Sequence, residues 1–159
     1  YSTREKDEVI RDIDALYEMY GDIFRTAFLG DANPLDLDAG FLADVLRHLR
    51  RKFPRLERVT AYGRASSLSR KTAEELSLIH EAGLDRVHVG LESGSNRVLK
   101  FQMKGTSHRQ LIDAGKKAMA SGMELSYYFL LGLGGQDLWE EHVNESAAVF
   151  NEVKPHFIR

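Results

Sequence analysis

The sequence predicts an α/β fold, a partial (β/α) TIM-like barrel of parallel strands that lacks its first strand and the end of the barrel. The main observation is that four strand-like runs each stop in a turn of small or acidic residues, and a helix-like stretch follows each turn. These runs are Ile23–Leu29, Arg58–Tyr62, Arg86–Leu91 and Glu124–Leu131. In addition, similar turns at Glu81–Leu84 and Ala120–Met123 separate a helix from the next strand. Loops that recur at roughly 30–40 residues are expected of a barrel built from β/α units.

Two amphipathic helices are predicted in the first third of the chain. The first covers Glu5–Tyr20, and its apolar residues at helical spacing are Val9, Ile10, Ile13, Leu16 and Tyr20. The second extends from about Asp38 to Phe53, with Asp38 as its N-cap. Its predicted buried face consists of Phe41, Leu42, Val45, Leu46 and Leu49.

Three further helices follow. The third begins near Ser69, contains a capping box of Thr72 and Glu75, and stops at Gly83. We expect it to bury Leu76 and Ile79. The fourth extends from Thr106 to Gly122, and the fifth from about Asp137 to Val153. The residues that the fifth is expected to bury are Trp139, Val143, Ala147 and Phe150.

Both ends of the chain are typical of a piece of a longer barrel. The chain starts with a helix, so the strand expected before it is missing, and Pro155–Arg159 resembles a sixth strand cut off as it begins. We therefore interpret residues 1–159 as a single partial barrel domain of a longer protein. A complete doubly wound domain is the alternative. Strand edges beside the missing strands are expected to promote self-association, because unpaired edges attract other strands.

Composition restricts the class of protein. Apolar residues make up 43% and charged residues 29%, which is ordinary for a globular protein, and the net charge of −2 without a basic run does not favour nucleic acid as a partner. No run is apolar enough to span a bilayer and no secretory signal precedes the first helix, so we expect a cytoplasmic protein with no membrane partner. The chain contains no cysteine, which excludes disulfides, thiolate zinc sites and cysteine-ligated iron–sulfur clusters within it.

The turns after the strands carry groups suited to binding a small molecule, and in a parallel β/α fold these turns share one face. Asp31 and Asn33, beside Gly30, offer oxygens to an ammonium group. The two carboxylate oxygens of Glu92 are able to bind a ribose diol, and the ammonium group of Lys104 is able to pair with a carboxylate.

A flat base would find a surface on the last complete strand. Tyr128, Leu130 and Gly132 supply backbone edges and an apolar wall there. Ammonium, carboxylate, ribose diol and purine are together the parts of S-adenosylmethionine.

Four runs make this sequence similar to radical S-adenosylmethionine (radical SAM) proteins: Phe28–Leu35, Gly90–Lys100, Met103–Thr106 and Leu130–Gly135. The branch it resembles includes the anaerobic coproporphyrinogen oxidases, the methylthiotransferases and many iron–sulfur oxidoreductases. The resemblance implies an enzyme in which a [4Fe–4S] cluster passes one electron to bound S-adenosylmethionine. Methionine and a 5′-deoxyadenosyl radical result, and the radical abstracts hydrogen from a substrate inside the barrel. It also implies an electron donor such as flavodoxin or ferredoxin, and it leaves the substrate open.

The resemblance assigns cofactor contacts residue by residue. Gly30–Asn33 stands where the family's Gly-Gly-Glu-type motif binds the methionine amino group. Glu92 stands where the family has a polar residue near the ribose, and Lys104 where a basic residue meets the methionyl carboxylate. Arg64 and Ser66, after the second predicted strand, are weaker candidates. The predicted cofactor-binding set is Gly30, Asp31, Ala32, Asn33, Glu92, Ser93, Lys104, Tyr128, Leu130 and Gly132.

The sequence departs from the family in one respect that concerns the metal. The Cys-x-x-x-Cys-x-x-Cys loop that ligates the cluster is missing, and its family position lies immediately before Tyr1. We therefore expect this chain to carry much of the cofactor pocket, no metal ligand and no catalytic residue. Alone, it is expected to be inactive.

Two other functions stay open. A conventional β/α-barrel domain would bind a phosphorylated ligand through Gly132–Gly135. A non-catalytic barrel relative would serve as a scaffold. The six histidines show no metal-ligand spacing, and His88, on a predicted strand, is expected to be a hydrogen-bonded core histidine rather than a residue facing the barrel interior.

Overall fold

The computed structural model describes residues 3–30 and 33–159, and within them it contains one five-stranded parallel sheet. The strands are β1 (Thr26–Leu29), β2 (Arg58–Gly63), β3 (Arg86–Glu92), β4 (Glu124–Phe129) and β5 (Phe157–Ile158). Neighbours in the sheet follow chain order, β1-β2-β3-β4-β5, and every pair is parallel. Because β1 and β5 do not pair, the sheet is unclosed. The predicted partial barrel is confirmed, with four full strands and a fifth of two residues.

Seven α-helices connect the strands in the described residues, and a 3-10 turn at Pro34–Asp36 follows β1. They are α1 (Lys6–Tyr20), α2 (Ala39–Lys52), α3 (Ala65–Arg70), α4 (Ala73–Glu81), α5 (Asn96–Phe101), α6 (His108–Ala120) and α7 (Trp139–Val153). The short helices α3 and α5 were not predicted as separate elements, because each has only six residues. Such helices show too few turns for a periodic apolar pattern.

Local capping chemistry determines where the longer helices begin. The Asp38 carboxylate accepts a hydrogen bond from the Phe41 amide at 2.9 Å, as predicted for the cap of α2. Thr72 and Glu75 form the predicted capping box of α4, with bonds of 3.1 and 2.7 Å. The prediction that this helix begins near Ser69 is wrong, because Thr72 is extended and starts a new helix after α3 has ended.

The hydrophobic core lies between the helices and one face of the sheet. Val59, Ala61, Val87, Val89 and Leu125 point to this face and are fully buried. Each large apolar side chain removed from water contributes about 1.5–3 kcal/mol, so this layer supplies most of the stabilisation. The other face of the sheet carries the alternate residues of each strand.

The buried face of α7 is not the predicted one. Trp139 and Val143 are 55% and 47% exposed, Ala147 is exposed, and Phe150 is only half-buried. The residues that face the protein are His142, Ser146, Val149 and Val153. The helix is rotated because His142 and Ser146 hydrogen-bond to the loop after β3, as described below.

Several predicted ends of elements are also corrected. β1 begins at Thr26 rather than Ile23, which is 61% exposed, and β4 ends at Phe129, so that Leu130 and Leu131 lie in an exposed turn. In α1 only Ile13 is buried, while Leu16 and Tyr20 are half exposed, because α1 packs at the margin of the sheet against α2.

No helix in residues 3–30 and 33–159 combines the length and the apolar character needed to cross a membrane.

Self-association through the open sheet edges stays a prediction. Among the described residues, β1 pairs only with β2 and β5 only with β4, which leaves two strand edges without partners. We expect sedimentation velocity to show an average mass that increases with protein concentration. Thr26→Lys, which places a charge on exposed β1, is expected to reduce the association. A wild-type monomer at every concentration would contradict this.

Candidate functional site

The carboxyl ends of the strands meet along one edge of the sheet, which we call the rim. It comprises residues 30, 33–36, 63–67, 92–95, 103–106 and 130–135. Hydrogen bonds join its loops in neighbouring pairs. The Arg64 amide donates to the Asn33 side-chain oxygen at 3.2 Å, and the Leu130 amide donates to the Glu92 carbonyl at 3.2 Å. The predicted convergence of the four loops on one face is therefore present.

Glu92 ends β3 in an unusual backbone conformation. The pairing of β3 with β4 shifts by one residue between Gly90 and Glu92, and Glu92 has a φ of 62°. A left-handed residue other than glycine costs about 1–3 kcal/mol, and such residues are enriched at functional sites. Here the bulge turns the Glu92 side chain along the rim, where the ammonium group of Lys104 lies against its carboxylate.

Lys104 reaches Glu92 because the end of α5 is also left-handed. Met103 has a φ of 51°, and the Lys104 amide donates to the Leu99 carbonyl at 3.0 Å. Close by in sequence, the Thr106 hydroxyl oxygen is buried and has no hydrogen-bond partner among residues 3–30 and 33–159. An anionic group and a cationic group thus stand together at the rim, with an unpaired hydroxyl two residues further along the chain.

A buried histidine joins the loop after β3 to the loop after β4. The Nε2 atom of His142 lies 3.1 Å from the Leu130 carbonyl, which only accepts, so the proton is on Nε2. The Nδ1 atom then accepts from the Ser93 hydroxyl at 2.8 Å, and the imidazole stacks on Phe129 with ring centroids 4.7 Å apart. His142 is only 2% exposed, and its bond to the fully buried Ser93 is shielded from water.

Gly94 fixes the same loop against α7. Its amide donates to the Ser146 hydroxyl at 2.7 Å, and that hydroxyl donates to the His142 carbonyl at 2.6 Å. A Cβ at Gly94 would lie 2.6 Å from the Ser146 nitrogen and closer still to the Glu145 carbonyl. The loop that bears Glu92 is therefore held by direct contact between two backbones.

The remaining loop contacts involve Asn33. Its amide nitrogen donates to the Ser67 hydroxyl at 2.7 Å, and that hydroxyl donates to the Asp36 carboxylate at 2.6 Å. Burial acts to raise the pKa of Asp36, but hydrogen bonds from Ser67 and Asn33 and the charges of Arg70 and Arg64 leave that pKa lowered. The Asn33 side chain thus ties the loop after β1 to that after β2.

The structure places the predicted cofactor residues in several positions, with Gly30 and Asn33 in the rim loop after β1 and Tyr128 on β4, one residue before its end. Asp31 and Ala32 lie outside the described residues. Glu92, Lys104, Leu130 and Gly132 line the rim, where Leu130 is 44% exposed and no described residue lies within 4 Å of a Cβ built on Gly132. Ser93 is fully buried and hydrogen-bonded to His142, so its side chain holds the loop from the protein interior.

Two positions that hold the loops of the rim were missed at the level of sequence. His142 and Ser146 were not singled out, although they lie four residues apart on α7 and interrupt its apolar pattern. This spacing puts two polar groups on one helix face, which was the available signal. Their partners, Ser93 and Gly94, lie 49 and 52 residues earlier in the sequence.

The sequence model of the Radical SAM superfamily matches residues 1–147. The chain belongs to the radical SAM superfamily. The resemblance drawn from the four sequence runs is thereby confirmed.

Individual relatives agree with the family. An uncharacterized methyltransferase of Pyrococcus horikoshii is 29% identical over 126 residues, which cover 79% of this chain and 26% of that protein. The coproporphyrinogen III oxidase HemN of Escherichia coli, a radical SAM enzyme, superimposes with a TM-score of 0.74 at 14% identity, over 98% of this chain and 38% of HemN. OxsB, a cobalamin-dependent S-adenosylmethionine radical enzyme solved with aqua-cobalamin and S-adenosylmethionine, gives a TM-score of 0.65 at 22% identity, over 92% of this chain and 22% of OxsB.

These comparisons differ in what they show. At such identities the two solved structures establish the fold alone. The chain spans about a quarter of the curated relative and less than two fifths of HemN and OxsB.

The radical SAM family uses S-adenosylmethionine with a [4Fe–4S] cluster, but the ligands of such a cluster are not in this chain, which has no cysteine. Histidine and carboxylate side chains in the described part of the chain form no group of three able to hold a metal.

Proposed function

We propose that this chain is the partial barrel domain of a longer radical SAM enzyme and that its rim binds S-adenosylmethionine. In this proposal Glu92 accepts hydrogen bonds from the ribose hydroxyls, and Lys104 binds the methionyl carboxylate. The loop Gly30–Asn33 receives the amino group, and Tyr128, Leu130 and Gly132 form the wall beside adenine. The observation that carries the proposal is the pair of Glu92 and Lys104, brought together by two left-handed residues.

The chemistry of the rim fits the cofactor. S-adenosylmethionine has a carboxylate and a diol that need a cation and a hydrogen-bond acceptor, and Lys104 and Glu92 provide these. The unpaired hydroxyl of Thr106 is a further donor near Lys104. Without ligand the two charged groups neutralise each other, so binding exchanges one ion pair for contacts to the ribose and to the carboxylate of the cofactor.

The cluster itself does not fit the residues of this chain, since no thiolate is present. When bound in the family, the cluster supplies the electron that cleaves S-adenosylmethionine reductively. The roles left to this chain are to bind the cofactor, to orient its ribose and to exclude water with the apolar side chains of the rim. We accordingly expect the chain alone not to cleave S-adenosylmethionine.

A phosphate site at Gly132–Gly135 has less support. The Gly135 amide donates to the Gly132 carbonyl at 2.9 Å, and the Leu133 amide donates to the Leu130 carbonyl at 3.4 Å. These internal bonds consume amides that a phosphate would need, and α7 begins only at Trp139. The geometry therefore favours a turn over an anion-binding loop.

Binding of S-adenosylhomocysteine, measured by isothermal titration calorimetry, tests the proposal without need of the cluster. Glu92→Gln and Lys104→Met are each expected to weaken binding by about 10–100-fold, because each removes a charge-assisted hydrogen bond of about 1.5–3 kcal/mol. Exposed Lys100, on α5, gives the matched control, and Lys100→Met is expected to leave affinity unchanged.

A second assay connects binding to the reaction. In the longer protein that contains this chain, reconstituted with iron and sulfide under anaerobic conditions, we expect 5′-deoxyadenosine to form and Glu92→Gln to reduce it. Affinity that does not depend on Glu92 or Lys104 would refute the assignment of the rim. A folded, reconstituted protein that yields no 5′-deoxyadenosine would refute the enzyme proposal and favour a scaffold.

A further inference from the structure

The loops after β1 and β2 share a chain of hydrogen bonds that ends on a carboxylate. The Arg64 amide donates to Asn33 Oδ1 at 3.2 Å, and Asn33 Nδ2 donates to the Ser67 hydroxyl at 2.7 Å. That hydroxyl donates to the Asp36 carboxylate at 2.6 Å, and the carboxylate also accepts from the Arg70 guanidinium. We call the three side chains of Asn33, Ser67 and Asp36 the relay.

The direction of each bond in the relay follows from its last member. Burial acts to raise the pKa of Asp36, but hydrogen bonds from Ser67 and Asn33 and the charges of Arg70 and Arg64 hold that pKa below its ordinary value. The group is therefore a carboxylate at neutral pH and only accepts, so the Ser67 hydrogen points to Asp36 and the Ser67 oxygen is left to accept. Asn33 must then turn its NH2 group to Ser67 and its oxygen to the Arg64 amide.

The opposite orientation of the Asn33 amide is disfavoured by both of its neighbours. A turn of 180° would place the NH2 group against the Arg64 amide, which is itself a donor. It would also place Oδ1 against the Ser67 oxygen, whose hydrogen stays with Asp36. Two repulsive contacts would replace two hydrogen bonds, so the relay fixes which atom of the amide stands on each side.

The Asn33 oxygen has capacity left for a ligand. A carbonyl oxygen has two lone pairs, and among the described residues only the Arg64 amide donates to this one. That bond lies at the surface, whereas the bond to Ser67 is partly buried. Asn33 and Gly30 also line one cavity of about 500 Å³. The relay thus presents a free acceptor position beside Gly30.

We propose that Ser67 and Asp36 are positioning residues that hold the Asn33 oxygen toward the ligand, so that the rim selects a ligand with an α-ammonium group. This inference rests on the proposed function, in which the loop Gly30–Asn33 receives the methionine amino group. It adds the accepting atom, Asn33 Oδ1, and the two side chains that orient it. Ser67 is 1% exposed and acts through Asn33.

Calorimetry with two ligands tests the proposal. The ligands are S-adenosylhomocysteine and its deamino analogue, in which hydrogen replaces only the amino group. We expect the wild-type protein to prefer S-adenosylhomocysteine by about 10–100-fold, the factor that a hydrogen bond to a charged group contributes. Ser67→Ala leaves the Asn33 amide free to turn, and is expected to reduce this preference to less than about threefold. The affinity for the deamino analogue should stay within about threefold of the wild-type value.

Two further variants complete the test. Ser69→Ala, on the same helix, removes a hydroxyl that donates to the Ala65 carbonyl at 2.9 Å, and it should keep the preference. Asp36→Asn replaces the carboxylate by a group that also donates, so the Ser67 hydrogen is no longer committed, and the preference should decrease here too. The Asp36 side chain is 47% exposed, so this variant tests the relay even if Ser67→Ala does not fold.

The outcomes separate this inference from the rim proposal. Loss of the preference in Ser67→Ala and Asp36→Asn, with Ser69→Ala unchanged, supports the relay. Equal weakening of both ligands by Ser67→Ala would overturn it and show that Ser67 supports the fold alone. An Asp36→Asn protein with the wild-type preference would overturn it as well.

The wild-type protein decides between the two proposals. If it binds both ligands equally, and binding depends on Glu92 and Lys104, only the relay inference fails. If it binds neither ligand, the rim proposal fails, and the relay inference fails with it.

Discussion

Gly94→Ala is expected to destabilise the protein by about 3 kcal/mol, at the upper end of the cost of overpacking. The added Cβ would meet backbone atoms of Glu145 and Ser146, the nitrogen of Ser146 at 2.6 Å, and backbone cannot move aside as a side-chain end can. The loop after β3 must then separate from α7, which also breaks the bond from the Gly94 amide to the Ser146 hydroxyl. Urea denaturation followed by circular dichroism measures the change.

Two further variants make the result for Gly94 interpretable. Gly30→Ala is the matched control, because Gly30 is not left-handed and no described residue lies within 4 Å of its Cβ position. We expect it to change stability by less than about 1 kcal/mol. Ser146→Ala removes only the hydrogen bond and is expected to cost about 1 kcal/mol. A Gly94→Ala protein as stable as the Gly30 control would show that the loop is not clamped to α7.

His142→Leu is expected to cost about 2–4 kcal/mol, because it removes a hydrogen-bond partner from the buried Ser93 hydroxyl and from the Leu130 carbonyl. The Ser93 hydroxyl loses its acceptor and the Leu130 carbonyl loses its donor, and each such loss costs about 1–3 kcal/mol. Leucine fills similar space beside Phe129, so the loss would reflect hydrogen bonding rather than a cavity. The free energy of unfolding in urea is again the quantity to measure.

An effect on ligand binding would distinguish His142 from a residue that only supports the core. His142 connects the loop that bears Glu92 with the loop that bears Leu130, so we expect His142→Leu to weaken S-adenosylhomocysteine binding as well. His142→Gln retains a donor for one partner and should lose less in both measurements. Val143→Ala, on the exposed side of α7, is the control and should lose neither. Weakened stability with unchanged affinity would show that His142 supports the fold alone.

Local sequence features were sufficient for the scaffold. Asp38, Thr72 and Glu75 were recognised as caps because capping acts between residues three positions apart, and the structure has the same hydrogen bonds. Apolar runs likewise located all four full strands within a few residues. The family could be recognised because its loop motifs are continuous in sequence.

The tertiary structure decided which of these residues act together. The left-handed turn of Glu92 arises from the bulge between β3 and β4, and no residue near it in sequence requires it. The rotation of α7 followed from bonds of His142 and Ser146 to residues some fifty positions earlier, and apolar periodicity alone chose the wrong face. The same holds for His88, whose Nδ1 atom is buried without a hydrogen-bond partner among the described residues.

By itself, then, the sequence determined the longer helices and the four full strands to within a few residues, the parallel β/α order and the family, since these depend on capping, periodicity and short motifs. Only the tertiary structure decided that Lys104 meets Glu92, that His142 couples two rim loops, and that His88 Nδ1 and the Ser126 hydroxyl are buried without hydrogen-bond partners among the described residues. The physical reason is that propensities and caps act within one or two helical turns. Ion pairs, buried hydrogen bonds and stacking at a site depend on where distant strands place their ends.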